Sequence, residues 1–180
     1  MSSRAISTRD RGGSGANRSP LARIGVGFDG GPSGRDAVVL ASLLASVTHA
    51  DLMLIAGVEE PIVATVAPAG MDAISVRRQT QAMLAATKDS LVPGARTVVH
   101  LDAHVRRGLR HVARREHCDL LVVGSDRRAR AGRTALGERS QEVLCHLACP
   151  LAIAPSGMAD GDSLALERIG TGFDGKAESR

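Results

Sequence analysis

Apolar positions along this chain follow two periods in turn. Ile24-Gly-Val26-Gly-Phe28 alternates at every second residue and stops at Asp29, which predicts a first strand and a loop punctuated by Pro32 and Ser33. Ala37, Leu40, Leu43, Leu44 and Val47 recur at helical spacing and predict a helix with one buried face. The unbroken run from Leu52 to Val58 predicts a strand covered on both sides. A weaker helical pattern runs from Met71 to Leu91, with Ile74, Met83, Leu84 and Leu91 as core contacts and Pro93-Gly94 as its stop. Thr97 to Leu101 reads as a third strand, and Val105, Leu109, Val112 and Ala113 mark a third helix. Asp119 to Gly124 is the clearest buried strand. After an arginine-rich loop, Leu136, Val143, Leu144 and Leu147 predict a last helix, and Pro150 to Pro155 a short final strand.

Five strands thus alternate with four helices. Parallel neighbours need crossover connections, so the pattern predicts an α/β fold: an open parallel five-stranded sheet with helices on both faces. The ordered domain is expected over residues 21–157. Residues 1–20 are polar and rich in Gly, Ser and Arg, and they read as a disordered tail. Residues 158–180 read as a linker and the first strand of an incomplete second repeat. The reason is that Arg23-Ile-Gly-Val-Gly-Phe-Asp-Gly30 recurs as Arg168-Ile-Gly-Thr-Gly-Phe-Asp-Gly175, with one position changed.

Composition narrows the functions. Hydrophobic residues make up 43% of the 180, charged residues 23% and aromatic ones 1%, with Phe28 and Phe173 the only aromatics. Base-stacking platforms and aromatic cages are therefore excluded, and the core is aliphatic. Of 23 basic residues only Lys88 and Lys176 are lysines, a skew expected of GC-rich coding sequence. The formal charge of +4 fits a phosphate-bearing partner, but no specific nucleic acid is expected. Cys118, Cys145 and Cys149 lack a disulfide-framework spacing and suit a reducing cytoplasm. No apolar stretch approaches the roughly 20 residues that span a bilayer, so no membrane partner is expected.

In open parallel sheets ligands bind beyond the carboxyl ends of the strands, where strand order reverses. Two loops are expected to meet there, Asp29 to Ser33 and Gly124 to Gly137. The second is rich in Gly and Arg and opens a helix, whose free N–H groups suit an anion. Composition leaves two readings open: a nucleotide or phosphate site, and a solvated arginine loop with no ligand. Gly25-Val-Gly-Phe-Asp-Gly30 matches G-x-G-x-x-G, but the alternation carries the strand through its glycines, so it is no dinucleotide fingerprint. His100, Asp102 and His104 lack a second ligand cluster and read as surface residues. Cys145 and Cys149 read as structural thiols. A nucleophile elbow is missing, and no general base is placed by the sequence.

Taken together, Asp29 at its strand end, Asp119-Leu-Leu-Val-Val-Gly-Ser125, the loop to Leu136-Gly137, Ser140-Gln-Glu-Val-Leu-Cys-His-Leu147 and Ala148-Cys-Pro-Leu-Ala-Ile-Ala154 resemble the universal stress protein family. The resemblance runs from Arg23 to Pro155. It implies the sheet order 3-2-1-4-5 of adenine-nucleotide alpha-hydrolase-like folds, a cytoplasmic stress-response role, and a homodimer formed through Leu151, Ala152, Ile153 and Ala154. Some members bind ATP and others do not. The binders carry G-x2-G-x9-G-[ST] after the fourth strand, and here Gly124 and Gly137 keep the spacing while Arg127 and Glu138 replace the middle glycine and the hydroxyl. A carboxylate at 138 would oppose phosphate by on the order of a few kcal/mol in a half-buried site. Arg127, Arg128, Arg130 and Arg133 are the candidate phosphate contacts that offset it.

The resemblance also puts Asp29 where an acid contacts adenosine, and Val58 where a backbone meets adenine. It implies a nucleotide-binding module for ATP, AMP or cyclic AMP, with magnesium only beside ATP. The alternative is a dimeric interaction protein of the same fold without nucleotide. Catalysis is not expected, slow nucleotide hydrolysis being the minor alternative.

Overall fold

A computed structural model describes residues 21–59, 73–102, 105–126, 128–135 and 147–161. The elements are β1 (Arg23–Gly27), α1 (Pro32–Thr48), β2 (Asp51–Glu59), α2 (Ala73–Leu91), β3 (Arg96–Asp102), α3 (Val105–Arg115), β4 (Leu120–Gly124) and β5 (Leu151–Ala154). A 3-10 turn follows at Met158–Asp160. All strand pairs are parallel, and the order is β3-β2-β1-β4-β5, as the resemblance implies.

The central strand explains the layering. Ile24 pairs with Leu52 and Leu120, and Val26 with Leu54 and Val122. Ile24, Val26, Leu54 and Val122 are fully buried on one face, with Val38 and Ala41 of α1 and Leu84 of α2. Met53, Ile55, Leu121 and Val123 pack on the other face with Val112 and Leu109 of α3. The glycines that alternate with Ile24 and Val26 point to this second face. A Cβ on Gly25 would sit 3.0 Å from the Cys118 thiol, and one on Gly27 3.2 Å from Val123. Larger neighbours fill the space that the glycines leave, so β1 is covered on both sides.

Two helices bury the predicted stripes only in part, with Ala37 on α1 and Leu84 on α2 fully buried as expected. On α1 the sheet side is Gly34, Ala37, Val38, Ala41 and Ala45. Leu40 and Leu44 pack on the rim of that core, and Val47 is 68% exposed. Small residues let the helix axis approach the sheet, which places the bulkier leucine stripe sideways. On α2 Leu84 is fully buried and Met83 half-buried, whereas Ile74 (67%) and Leu91 (45%) are exposed near its two ends. The last predicted helix lies outside the described residues except for Leu147, which packs half-buried on the α3 side. So do the tail at 1–20 and the repeated motif at 168–175.

The carboxylate of Asp36 is buried although it lies away from the sheet. It accepts hydrogen bonds from the backbone N–H of Gly157 (2.9 Å) and of Ala159 (2.7 Å), which docks the 3-10 turn on α1. Asp119 does similar work at the opposite sheet end. Its Oδ2 accepts from the Ala22 (2.9 Å) and Arg23 (2.8 Å) N–H groups and starts β1 beside β4.

Candidate functional site

Strand order reverses between β1 and β4, so the crevice lies past Gly27 and Gly124. The chain leaves β1 through Phe28, whose N–H still donates to the Ile55 carbonyl (2.9 Å) and whose ring is buried. Asp29 Oδ1 then accepts from the Gly31 N–H at 2.9 Å, closing an Asx turn across Gly30. Gly30 has φ +80°, a conformation that glycine takes without steric cost. Gly31 caps α1, and Pro32 occupies its first turn.

Between β1 and α2 lies a crevice of about 370 Å³, lined among the described residues by Phe28, Asp29, Ala56, Gly57, Gln79, Thr80 and Met83. This falls at the lower end of the roughly 300–1,000 Å³ typical of small-molecule sites. Its floor is apolar and its rim carries a carboxylate, a carboxamide and a hydroxyl. The Thr80 hydroxyl donates to the Val76 carbonyl (2.9 Å), leaving oxygen lone pairs to accept. The Met83 sulfur lies directly over Gly30, where any Cβ would overlap it. An unbranched thioether at that point can shift to admit a ligand.

The second loop is held one strand away. Gly124 touches the Ser33 backbone so closely that a Cβ would overlap the Ser33 carbonyl. The Ser33 hydroxyl donates to the Ser125 carbonyl at 2.6 Å. The Ser125 hydroxyl in turn accepts from the Ala135 N–H (2.6 Å), and the Asp126 N–H donates to the Ala135 carbonyl (3.1 Å). Asp126 Oδ1 accepts from the Arg128 N–H at 2.9 Å. The far arm is tied to the chain after β5: Gly132 N–H donates to Ser156 (2.8 Å), and Ser156 N–H to Arg133 (3.0 Å).

Of the residues singled out in the sequence, Asp29 lines the crevice, and Val58 stands half-buried in β2 beside the lining Gly57. Gly124 ends β4 against α1, and Arg128, Arg130 and Arg133 are exposed along the loop. Arg127, Gly137 and Glu138 lie outside the described residues. Gln79, Thr80 and Met83 were not singled out as site residues. They are spaced one and three apart, so one helical turn presents all three, and only the packing of α2 beside β2 reveals that this turn meets Asp29.

The other candidates settle elsewhere. The His100 ring stacks on His111, with centroids 5.2 Å apart, and Arg107 Nε holds Asp102 at 2.9 Å; His104 is outside the described residues. Among the described residues no three His, Cys, Asp or Glu side chains are grouped to hold a metal. Cys118 is buried, and burial pushes its thiol up to about 11. Burial also raises Cys149, a half-buried thiol. Cys145 is outside the described residues.

The family model of the universal stress proteins matches residues 21–155. The chain belongs to the universal stress protein family. Its fold is similar to that of a universal stress protein solved in complex with cAMP, at 22% identity and TM-score 0.56, covering 76% of this chain and 98% of that one. It is also similar to universal stress protein UspA from Lactobacillus plantarum (18%, TM-score 0.54, covering 74% and 97%). A third is the universal stress protein from Archaeoglobus fulgidus in complex with dAMP (13%, TM-score 0.51, covering 73% and 96%). No curated protein matches the sequence. Among the described residues of this universal stress protein domain, no helix is long and apolar enough to cross a membrane.

Proposed function

We propose that this universal stress protein domain binds an adenine nucleotide in the crevice between β1, β2 and α2 and acts as a binding module rather than an enzyme. The carrying observation is the lining itself, an apolar floor of Phe28, Ala56 and Gly57 with Asp29 at the rim. A purine suits the floor, beside the Val58 backbone. Asp29 spends one oxygen on the Gly31 N–H and keeps the other for a ribose hydroxyl. The phosphates then run toward Gly124 and the loop that carries Arg127, Arg128, Arg130, Arg133, Gly137 and Glu138. Guanidinium forks there suit a phosphate and offset Glu138. The complexes of two similar proteins with cAMP and dAMP support an adenine ligand of low phosphate charge. Magnesium would accompany only a triphosphate.

Calorimetric titration of the purified protein with ATP, AMP and cyclic AMP tests the reading. Binding of AMP or cyclic AMP is expected, and silence from all three at millimolar ligand overturns it. The competing reading, a nucleotide-free interaction protein, is favoured by the loop's internal bonding, since the Ser125 hydroxyl and the Asp126 carboxylate already accept from the Ala135 and Arg128 N–H groups. Appearance of ATP binding only in the double variant Arg127→Gly with Glu138→Ser would support that alternative. In either case we place the module in a reducing cytoplasm, as its cysteines suit. It dimerises through β5, an edge strand with Leu151, Ala152 and Ile153 half-buried in the monomer.

A further inference from the structure

Helix α3, whose first residue Val105 packs against Gly57, carries a different chemistry along its outer face. Its sequence VRRGLRHVARR turns Leu109, Val112 and Ala113 toward the sheet and leaves Arg107, His111, Arg114 and Arg115 exposed. The carboxylates of this face lie beneath the arginines. Asp102 is 13% exposed under Arg107, which is 61% exposed and reaches it at 2.8 Å. Glu116 is 18% exposed between Arg115 (52%, 2.9 Å) and Arg96 (60%, 3.4 Å). A visitor from solvent therefore meets guanidinium groups first. Each buried oxygen holds its arginine in place while several of the five N–H donors of the fork stay unspent.

At the carboxyl end of α3 this face runs into a cleft of about 620 Å³. His111, Arg114 and Arg115 border it, and the exposed Ala148 gives it an apolar surface, with Ala113 and Cys118 buried behind. Asp119 also lines it, with one carboxylate oxygen already committed to the start of β1. Phosphate backbones have no use for an apolar surface, and the His111 ring beside the cleft already has one face stacked on His100. A peptide that carries carboxylates beside aliphatic side chains matches both parts.

We propose that the α3 face and its cleft form a docking surface for an acidic segment of a partner protein, with carboxylates on Arg107, Arg114 and Arg115 and an aliphatic residue over the exposed Ala148. The surface is separate from the nucleotide crevice and does not depend on it. Bidentate guanidinium contacts supply orientation, and the charge excess steers encounter.

The test is fluorescence anisotropy of the full chain with a short labelled peptide of glutamates around two leucines. Saturable binding is expected, weakening with added salt and by about tenfold in the double variant Arg107→Gln, Arg114→Gln. The salt titration is read on the unaltered protein, so it stands even where the variant folds poorly. The proposal is overturned when the glutamine version of the peptide binds equally, when the leucine-free version does, when salt has no effect, or when a DNA duplex binds more tightly than the acidic peptide.

Discussion

The Ser33 hydroxyl, in the first turn of α1, donates to the Ser125 carbonyl just past β4 across 2.6 Å, with Gly124 pressed against the Ser33 backbone. The contact joins the two loops of the crevice where β1 and β4 diverge. It also leaves no room for a side chain at 124.

Gly124→Val is therefore expected to destabilise the domain by about 1–3 kcal/mol through overpacking against backbone that cannot yield. Urea unfolding monitored by circular dichroism measures it. A loss below about 0.5 kcal/mol would show that Ser33 moves freely away.

Asp36→Ala removes the acceptor for two backbone N–H groups and leaves them without partners. The expected cost is about 1–3 kcal/mol, with faster proteolysis after Pro155 as the 3-10 turn comes loose. Thermal unfolding and limited proteolysis read the two effects separately.

Leu84 and Leu91 lie on one helix in opposite surroundings. Leu84→Ala should cost about 2–5 kcal/mol, since the side chain is fully buried. Leu91→Ala, at a 45% exposed position, should change stability by less than about 0.5 kcal/mol. Paired denaturant curves decide it.

The thiol of Cys118 holds its proton more tightly folded than unfolded, up to about 11 against an ordinary 9.0. Its contribution to stability is complete below pH 9 and is lost as pH rises through 11, because the unfolded chain releases that proton first. Native Cys118 should resist alkylation at pH 8 and react on unfolding, as peptide mass mapping would show. Rapid native labelling would contradict this.

The sheet was legible because its strands are continuous or strictly alternating apolar runs, and β1, β2 and β4 fall within a residue or two of the predicted spans. Asp29 was legible because it ends a strand at the crevice. The helix faces were less so. Periodicity ranks residues by hydrophobicity, whereas α1 approaches the sheet through Gly34, Ala41 and Ala45, which score low for the reason that lets them fit. Asp36 escaped notice because the chain that covers it arrives some 120 residues later. Gln79, Thr80 and Met83 escaped because a crevice between α2 and β1 is a tertiary fact with no local periodicity.

The ties among residues 125–135, Ser156 and Asp36 have a kinetic consequence. Gly132 and Ser156 are tied through backbone bonds, and Gly157 and Ala159 through the Asp36 carboxylate, with Ser156 to Ala159 one short stretch of chain. The amide protons of Gly132, Ser156, Gly157 and Ala159 are expected to open together, and hydrogen–deuterium exchange that splits them into independently opening sets would contradict this.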